Sequence, residues 1–276
     1  MNDSARRAYD QDERTQPYEP EAKWVETDGV GGFWSPLYGT GWILAPPPDD
    51  LEHIVRVRDA VRAAAGTHPT GDIEWKCFSW DGAAAWYADG ALQDAGFVPA
   101  EEKAILIADA RELAGTLTED VRNSAAPRNP GIAVRIATDE ADHDAAPILE
   151  AADSVDYETW GAKHPPSRVA RGYWAGGAVC SIHVAFLDNA PVSYGRFQAT
   201  PGSRFGGLWG GATIASARNR GCYRALVVSR AREAIRRNLR WLMVDANPAT
   251  SMPILLHHGF RQIGSTRPYT YSPKPG

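Results

Sequence analysis

Three arginines and a glycine stand close together in the segment Arg218–Arg224, which reads RNRGCYR. A glycine-rich apolar run precedes the segment. A helical pattern follows it, with apolar residues at Tyr223, Leu226, Val227, Ala231, Ala234 and Ile235. The first N–H groups of a helix have no intrahelical acceptor, and they lie at the positive end of the helix dipole. We therefore predict that this turn, with Arg218, Arg220 and Arg224 around it, binds a phosphate or a pyrophosphate. An ordinary strand-to-helix turn with solvated arginines is the alternative.

The elements after this turn follow a definite order. The helix leads to the apolar strand Trp241–Val244 and then to Asp245-Ala246-Asn247-Pro248. A short helix is predicted to begin near Pro253, because proline suits a first helical turn, and Gly259-Phe260 and a last strand follow. The order resembles that of the GCN5-related N-acetyltransferase (GNAT) superfamily, over roughly Ile132 to the C-terminus. The segments that carry the resemblance are ATIASARNRGCYRALVVSRAREA (212–234), DANPATSMPILLHHGF (245–260) and RPYTY (267–271).

The resemblance implies an acetyl-CoA site built around the turn. Residues 218–223 are similar to the superfamily's Arg/Gln-x-x-Gly-x-Gly/Ala signature, although Tyr223 occupies the last small-residue position. The pyrophosphate would bind at the turn, and the pantetheine arm would lie where strand 208–214 diverges from strand 241–245. The cofactor-binding residues implied in this way are Thr213, Ile214, Arg218, Asn219, Arg220, Gly221, Cys222, Tyr223, Arg224 and Asn247. For Asn247, the alternative is a turn residue.

The residues that would transfer protons are indicated less clearly. Many members of the superfamily have a tyrosine four residues before the Gly-Phe glycine, as the acid for the leaving thiolate, and this position is Leu255 here. Ser251, at the start of the same short helix, is a candidate to hydrogen-bond the thiolate, with helix capping as its alternative role. His183, on a predicted strand, is a candidate base because its ordinary pKa is suitable. A lone histidine on a strand is more often structural.

The acceptor site of the superfamily is formed largely by the segment after the first strand of the domain. Here an acidic helix is predicted near 139–152, and an irregular stretch follows at 153–174. This stretch mixes carboxylates with aromatic rings, which suit an amine through charge attraction and cation–π contact. A solvated acidic loop over a packed aromatic ring is the alternative. The residues assigned to the acceptor are Asp156, Tyr157, Trp160 and Trp209.

The composition is that of a globular protein without a basic surface. The 276 residues carry a formal net charge of −5, with 43% hydrophobic and 23% charged residues, which disfavours general nucleic-acid binding. We find no apolar run long enough for a membrane helix or a signal peptide. Cys77, Cys180 and Cys222 are scattered, which favours a reducing compartment and does not fit metal-ligand spacing. We expect a cytoplasmic protein with no metal, nucleic-acid or membrane partner, for which a homodimer is an option.

The first half of the chain repeats the order of elements in the second half. Each half has a long helix, a strand, a short helix, a Gly-Phe pair and a further strand. In the first half these are predicted at 50–65, 73–78, 83–95, 96–97 and 102–108. In the second half they are predicted at 222–238, 240–245, 253–258, 259–260 and beyond. Such an order is common in α/β proteins, which is the alternative to a duplication. The first copy has Pro46-Pro47-Pro48-Asp49-Asp50 before its helix, where prolines lack N–H groups and aspartates repel phosphate.

We therefore predict a mixed α/β fold of tandem GNAT-like domains, each a twisted mixed sheet flanked by helices. The predicted parts are a flexible N-terminus (1–23), a degenerate domain without a pyrophosphate loop (24–124), a linker (125–131) and an acetyl-CoA-binding domain (132–276). The function implied by the resemblance is direct transfer of an acetyl group from acetyl-CoA to an amine of a small molecule or peptide, in a ternary complex. A non-catalytic acyl-CoA-binding or partner-recognition module is the main alternative. Transfer to oxygen and decarboxylation are weaker ones.

Overall fold

A computed structural model of the chain describes residues 2–15, 21–66, 71–81, 89–123, 131–161 and 165–273. The chain divides into two compact units. Unit 1 contains residues 1–106, 245–254 and 262–276, and unit 2 contains residues 107–244 and 255–261. This division differs from the predicted one, because the last strand of the chain pairs inside unit 1. Residues 125–130 of the predicted linker lie outside the described residues, and the domain boundaries at 124 and 132 remain predictions.

Unit 1 is a mixed sheet with a long helix packed on it. Its strands are β1 (Lys23–Thr27), β2 (Val30–Ser35), β3 (Thr40–Ile43), β4 (Ile73–Phe78), β5 (Val98–Pro99) and, apart from one residue, β12 (Arg261–Tyr271), and its helices are α1 (Asn2–Glu13), α2 (Leu51–Ala64) and α3 (Asp89–Asp94). The sheet order is β1-β2-β3-β4-β12, with β5 also on β12, and only the β3–β4 pair is parallel. Ile54, Val57 and Val61 of α2 are buried on this sheet with Ile43 and Trp75.

Residues 2–13, part of the segment predicted to be flexible, form helix α1. Helix α1 buries Ala5, Ala8 and Tyr9 in unit 1, and the ring of Tyr9 packs edge-on against Phe78. Apolar residues are spaced so thinly among the charges of this segment that its amphipathic face is weak in the sequence. The helix is therefore held by tertiary contacts rather than by its intrinsic propensity.

Unit 2 contains strands of mixed direction together with helices. Its strands are β7 (Ile132–Ala137), β8 (Val179–Leu187), β9 (Ala190–Ala199) and β10 (Phe205–Thr213), and its helices are α4 (Ala110–Asn123), α5 (Ala145–Trp160), α6 (Pro166–Ala175) and α7 (Cys222–Arg236). Strands β6 (Lys103–Asp109) and β11 (Trp241–Ala246) and helix α8 (Ser251–His257) contribute residues to both units. The order is β7-β8-β9-β10-β11, and only the β10–β11 pair is parallel.

The two units share one local arrangement, as the predicted duplication requires. In unit 1 a strand, a helix and a parallel strand follow one another as β3, α2 and β4, and in unit 2 they follow as β10, α7 and β11. Each parallel pair is aligned over three residues, Gly41–Ile43 with Ile73–Trp75 and Phe205–Gly207 with Trp241–Met243. The helix between two parallel strands must cross over the sheet, which explains why both helices bury one apolar face.

The stretch predicted to be irregular, 153–174, is mostly helical. Helix α5 extends to Trp160 and is capped by Gly161, whose φ of 76° is left-handed. Helix α6 begins at Pro166, a residue that suits a first helical turn. The predicted acidic helix is thus displaced along the chain, because the buried side of α5 contains Ile148, Leu149, Ala152 and Val155. The polar residues Asp156, Tyr157 and Trp160 are consequently fixed on a helix and not on a loop.

Strands β8 and β9 form a hairpin that turns at Asp188-Asn189. Both residues have positive φ, 51° and 68°, which suits the twist of a two-residue turn between β8 and β9.

Among the described residues, no helix combines the length and the apolar character that crossing a membrane requires.

Candidate functional site

The turn before α7 leaves the start of that helix without a side-chain cap. Asn219 (φ 60°) and Gly221 (φ 86°) have left-handed backbones, which asparagine and glycine tolerate best. Gly221 is the N-cap, and the first intrahelical bond runs from the Ala225 N–H to its carbonyl at 3.0 Å. The N–H groups of Cys222 and Tyr223 precede that bond. The turn therefore has the backbone arrangement of an anion-binding helix N-terminus, as the sequence predicts.

The three arginines around the turn have different surroundings. Nε of Arg218 donates to the Thr213 carbonyl at 3.3 Å, which joins the turn to the end of β10. Arg220 is exposed at the turn. Nη2 of Arg224 instead donates to the Leu117 carbonyl at 2.6 Å and so fixes α7 to α4. Arg224 was predicted to bind the cofactor; this contact with α4 engages one of its nitrogens, and the cofactor contact stays a prediction.

Cys222 and Tyr223 are enclosed parts of the turn. Cys222 is buried, and burial raises the pKa of its thiol, so the helix N-terminus does not make it a reactive thiolate. The ring of Tyr223 lies against the backbone of Gly211 in β10, where a methyl group on Gly211 would come within 3.2 Å of it. On its other side lies the guanidinium of Arg230, 5.8 Å from the ring centre. The ring of Tyr223 therefore packs between β10 and the side chain of Arg230, which a smaller residue could not do.

Strand β10 leaves β11 after a short parallel pairing. Within the described residues their ladder ends at Gly207 and Met243, and a bulge follows in β10 between Trp209 and Ala212. The ladder with β11 thus does not continue at Leu208, where the sequence predicts the groove for pantetheine. The backbone of Ile214 is engaged elsewhere, because its N–H donates to Val192 and its carbonyl accepts from Ala217, each at 3.0 Å. The predicted backbone contact of Ile214 with pantetheine is therefore wrong.

Thr213, the other predicted pantetheine contact, lies at the end of β10. Its hydroxyl is 2.7 Å from Oγ of Ser193, which also donates to the Ala212 carbonyl at 2.7 Å. The serine thereby fixes the end of β10 to β9. The backbone direction at Thr213 is set by two strands rather than by the turn alone.

His183, the predicted base, is a structural residue. It is fully buried in β8, its Nδ1 is 2.8 Å from Oγ of Ser229, and its Nε2 is 3.0 Å from Oγ of Ser181. Burial, together with the charges of Arg230 and Arg236, lowers the pKa of His183 well below its ordinary value. Both ring nitrogens are engaged, so that the imidazole has no nitrogen to offer a substrate.

Ser251 and Asn247 belong to unit 1, where they hold the loop after β11. Oγ of Ser251 accepts from the Asn247 N–H at 2.9 Å, and Oδ1 of Asn247 accepts from the Ala249 N–H at 2.9 Å. Nδ2 of Asn247 donates to Oε2 of Glu101 at 3.2 Å. Both side chains thus close a turn, which was the alternative role considered for Asn247, whereas helix capping was the one considered for Ser251. Leu255, in the position of the superfamily's tyrosine, is fully buried.

Asp156 forms a buried pair with a residue that the sequence analysis missed. Its Oδ1 accepts a short hydrogen bond from Oη of Tyr194 on β9, and the two residues are only 6% and 3% exposed. Burial first and the Asp156 carboxylate second raise the pKa of Tyr194, which keeps the phenol protonated. Tyr194 is paired across the sheet with Ala212, and a methyl group on Gly210 would lie 3.4 Å from Oη. The pair is therefore next to the bulge in β10.

The other three predicted acceptor residues are placed differently from one another. Trp160 lies one helical turn beyond Asp156 and is 66% exposed, so that both share a face of α5. Tyr157 is 71% exposed, and because it is the residue after Asp156 it lies on a different side of the helix. The indole of Trp209 folds back over Gly207, where a methyl group would come within 2.3 Å of its Nε1. Asp156 and Trp160 are thus brought together, and Tyr157 is not.

The start of α2 in unit 1 offers a direct contrast with the start of α7. There Asp50 is the N-cap, and its carboxylate accepts from the His53 N–H at 3.0 Å. Next to it, the indole of Trp75 on β4 donates to the Ala45 carbonyl at 2.9 Å and packs at the end of β3. A phosphate would meet a carboxylate at this helix start, as the sequence predicts for the first copy.

Comparisons with known proteins concern the fold. No protein-family model matches the sequence, and neither does the sequence of any curated protein. Solved structures do match. A GCN5-related N-acetyltransferase from Kribbella flavida is similar with a TM-score of 0.66 at 13% identity, over 98% of this chain and 96% of that chain. A tandem GNAT protein from the clavulanic acid biosynthesis pathway is similar with a TM-score of 0.58 at 12% identity, over 94% and 85%.

A third similar structure carries a different name. It is the C-terminal domain (DUF2156) of a putative lysylphosphatidylglycerol synthetase from Agrobacterium fabrum, with a TM-score of 0.52 at 12% identity, over 98% of this chain and 92% of that chain. The shared feature of these structures is therefore the scaffold, whatever group they transfer. At such identities the likeness concerns the fold, and it confirms the fold predicted from the sequence: the chain has the tandem fold of the GNAT superfamily.

Proposed function

We propose that the protein is an N-acyltransferase that takes an acetyl group from acetyl-CoA and transfers it to an amine of a small molecule or peptide. The observation that carries the proposal is the uncapped start of α7. Its N-cap, Gly221, has no side chain, and Arg218 and Arg220 are exposed beside it. The equivalent start of α2 is closed by the Asp50 carboxylate. One helix N-terminus is suited to a pyrophosphate, and the other repels it.

Residues of unit 2 would bind the successive parts of acetyl-CoA, from the pyrophosphate to the thioester. The N–H groups at Cys222 and Tyr223 and the two exposed arginines would hold the pyrophosphate, where hydrogen bonds to a charged group contribute about 1.5–3 kcal/mol each. The part of β10 from Leu208 to Thr213, beyond its ladder with β11, would bind the amides of the pantetheine arm. Acetyl-CoA supplies an activated thioester. The bulge at Gly210 gives backbone groups near the end of that arm, where an oxyanion could be stabilised.

A titration of the full chain with acetyl-CoA in an isothermal calorimeter tests the proposal. We expect one equivalent to bind in the micromolar range, with release of free coenzyme A, detected by a thiol reagent, once a suitable amine is added. An absence of binding at millimolar acetyl-CoA would overturn the proposal. Coenzyme A without its acetyl group is the matched ligand, because it keeps the pyrophosphate and should bind with similar affinity.

A non-catalytic acyl-CoA-binding module is the second candidate, and Leu255 favours it. The buried, apolar side chain at this position cannot protonate a thiolate. Under this alternative, acetyl-CoA binds but no amine in a broad panel releases coenzyme A. The likeness to a lysylphosphatidylglycerol synthetase domain adds a variant of the test, in which an aminoacyl donor replaces acetyl-CoA. Product mass distinguishes these outcomes.

A further inference from the structure

Arg14, just after α1 in unit 1, has an acceptor for each of the five N–H groups of its guanidinium. Its Nε and Nη2 donate to the Leu44 carbonyl at 3.0 and 2.7 Å. Its Nη1 and Nη2 donate to Oδ1 and Oδ2 of Asp81 at 2.7 and 2.8 Å, and Nη1 also donates to Oδ1 of Asp10 at 2.9 Å. The Cζ atom lies over the ring of Phe78, 4.1 Å from its centre. The surroundings of this guanidinium therefore match its charge, its donors and its flat face.

Most of this receptor belongs to the sheet of unit 1 and not to α1. Leu44 follows β3, Phe78 is the last residue of β4, and four of the five hydrogen bonds are made to Leu44 and Asp81. The Asp81 N–H donates to the Phe78 carbonyl at 3.1 Å, which fixes the turn that carries the carboxylate. The indole of Trp75 donates to the Ala45 carbonyl at 2.9 Å, which fixes the chain after Leu44. The receptor is therefore held by contacts that do not involve Arg14.

The receptor lies at the end of the parallel strand pair of unit 1. Within the described residues, the ladder of β3 with β4 ends at Ile43, and Leu44 is the next residue. In unit 2 the ladder of β10 with β11 ends at Gly207, and Leu208 begins the stretch proposed for pantetheine. In open α/β sheets, ligands bind beyond the carboxyl ends of parallel strands, which is where both positions lie. The same position thus meets a guanidinium in unit 1 and, under the proposed function, an uncharged amide arm in unit 2.

The receptor suits a guanidinium better than any other cation of a protein. The side chain of Asp81 is only 5% exposed, so water has little access to replace a lost partner. A guanidinium presents two parallel N–H groups to both carboxylate oxygens and lays its plane on an aromatic ring. An ammonium is a compact point charge that does neither. We therefore expect this site to select its ligand by shape in addition to charge.

We propose that the end of the β3–β4 pair is a binding site for an alkylguanidinium, and that Arg14 occupies it as a tethered ligand. The tether is α1 on one side of Arg14 and the segment 15–22 before β1 on the other. Because one guanidinium engages all the acceptors, Arg14 and a ligand in solution exclude each other. Helix α1 is thus a strap that is fastened at Arg14, and the site accepts an arginine-like ligand when Arg14 leaves it. The inference is independent of the proposed acyltransferase function.

The test is chemical replacement of the missing group in the full chain. The variant is Arg14→Ala, and the probe is methylguanidinium, which contains the guanidinium and the adjoining carbon of the lost side chain. Methylammonium is the matched probe, with the same charge but without the planar fork. Thermal unfolding is followed at probe concentrations up to about 20 mM, far below the molar range in which guanidinium salts unfold proteins.

The control variant is Arg6→Ala, which removes another arginine from α1. Nε of Arg6 donates to the Ile263 carbonyl at 3.1 Å, and its guanidinium lies over the ring of Trp80. The two variants therefore make the same chemical change on the same helix, but only Arg14→Ala empties the proposed site.

For Arg14→Ala we expect Tm to fall by about 6–15 °C, because a buried carboxylate loses its cation. Methylguanidinium should raise the Tm of this variant saturably, by about 3–7 °C at about 20 mM, as expected for a site of millimolar affinity. Methylammonium should change that Tm by less than about 1 °C, because it cannot form the bidentate pair. The parent protein should not respond, since Arg14 already fills the site, and Arg6→Ala should not respond either.

Two further variants show whether the probe binds at the proposed place. Asp81→Asn combined with Arg14→Ala should abolish the response to methylguanidinium, because an amide cannot accept two parallel N–H groups. Arg14→Lys keeps the test valid if Arg14→Ala does not fold. Its Tm should lie below that of the parent protein, because lysine lacks the fork, and methylguanidinium but not methylammonium should raise it.

Several results would overturn the inference. It fails if neither probe raises the Tm of Arg14→Ala, or if methylammonium raises it as much as methylguanidinium, since the site would then respond to charge alone. It also fails if the combined variant with Asp81→Asn is rescued as well, or if methylguanidinium stabilises the parent protein and Arg6→Ala equally. Titration with acetyl-CoA decides the proposed function separately, whichever of these results is found.

Discussion

Gly221 makes the turn before α7 possible, and its replacement separates backbone strain from ligand contact. Gly221 (φ 86°) and Gly177 (φ 70°) are both left-handed, and neither has an atom within 3.4 Å of the place of a methyl group. Gly221→Ala and Gly177→Ala should each destabilise the fold by about 1–2 kcal/mol. Only Gly221→Ala should weaken acetyl-CoA binding, by about tenfold or more, because its methyl group stands among the N–H groups that would face the phosphate.

Urea unfolding and calorimetric titration of the two glycine variants check this prediction. Gly177→Ala is the matched control, since it carries the same left-handed strain in unit 2 at a site that has open space around it. Equal acetyl-CoA affinity in the two variants would mean that the turn does not bind the pyrophosphate.

His183 should make the stability of the protein depend on pH. Burial lowers its pKa well below the ordinary 6.5, so the folded chain stays unprotonated there while the unfolded chain takes up a proton. The unfolded state then binds more protons, and the free energy of unfolding falls as the pH drops below 6.5. The slope contributed by this residue is at most about 1.4 kcal/mol per pH unit, and it disappears above that pH.

The measurement is urea unfolding of the parent protein and of His183→Gln at pH 7.5, 6.5 and 5.5, values chosen at about one unit on either side of the ordinary pKa. The variant cannot titrate, so the difference in unfolding free energy between the two proteins should shrink toward pH 5.5. A difference that is constant over the three pH values would show that the unfolded and folded chains protonate His183 alike.

Single residues were predicted well where their function depends on neighbours in the sequence. Gly221 and Asn219 could be assigned to the turn because left-handed backbone and a following helix are local features. Tyr194 could not be found, because its partner Asp156 is 38 positions away and only strand pairing brings them together. The contact of Arg224 with Leu117 was missed for the same reason, since the two residues are 107 positions apart. Distance along the chain, and not residue type, decided these outcomes.

Helix α1 depends at the element scale on one buried ion pair. Nη1 and Nη2 of Arg14, just after the helix, donate to the two oxygens of Asp81 at 2.7 and 2.8 Å, and the guanidinium also donates to the Leu44 carbonyl. The side chains of Arg14 and Asp81 are only 8% and 5% exposed. Arg14→Ala should therefore destabilise unit 1 by about 3–5 kcal/mol, because it leaves a buried carboxylate without its cation.

Thermal or urea unfolding of Arg14→Ala tests this dependence, with Arg7→Ala as the control on the exposed side of α1. The control should change stability by less than about 0.5 kcal/mol. If the two variants lose equal stability, the N-terminal helix is not held by the ion pair. This element was missed in the sequence because its strongest contacts are made by charged residues, which usually indicate solvent.

Elements with a clear apolar pattern were predicted close to their observed bounds, as α2, β4 and α7 demonstrate. Helix α5 was placed too early, because Asp139–Asp144 look like a helix start but only the later residues bury a continuous face. The sequence shows which stretch is acidic, whereas packing against the sheet determines which residues form the helix.

At the scale of the whole molecule, we expect one coenzyme A per chain despite the repeated arrangement of strands and helices. The helix start in unit 2 has glycine as its N-cap, whereas the one in unit 1 is capped by the Asp50 carboxylate. Calorimetric titration gives the stoichiometry directly. Replacing Asp50 by alanine should cost about 1 kcal/mol of stability without changing that stoichiometry, since a proline run still precedes the helix. Two equivalents per chain would contradict this interpretation.

The pairing of β12 with β4 has a consequence for how the protein is made. Thr266–Tyr271 pair with Ile73–Phe78 in unit 1, which come almost 200 residues earlier in the chain. Both segments of unit 2, 107–244 and 255–261, are synthesised before them. During translation, β4 in the first half of the polypeptide therefore has one edge without a partner strand until β12 has been synthesised. The second half can acquire its structure sooner, so the order of maturation is the reverse of the order of synthesis.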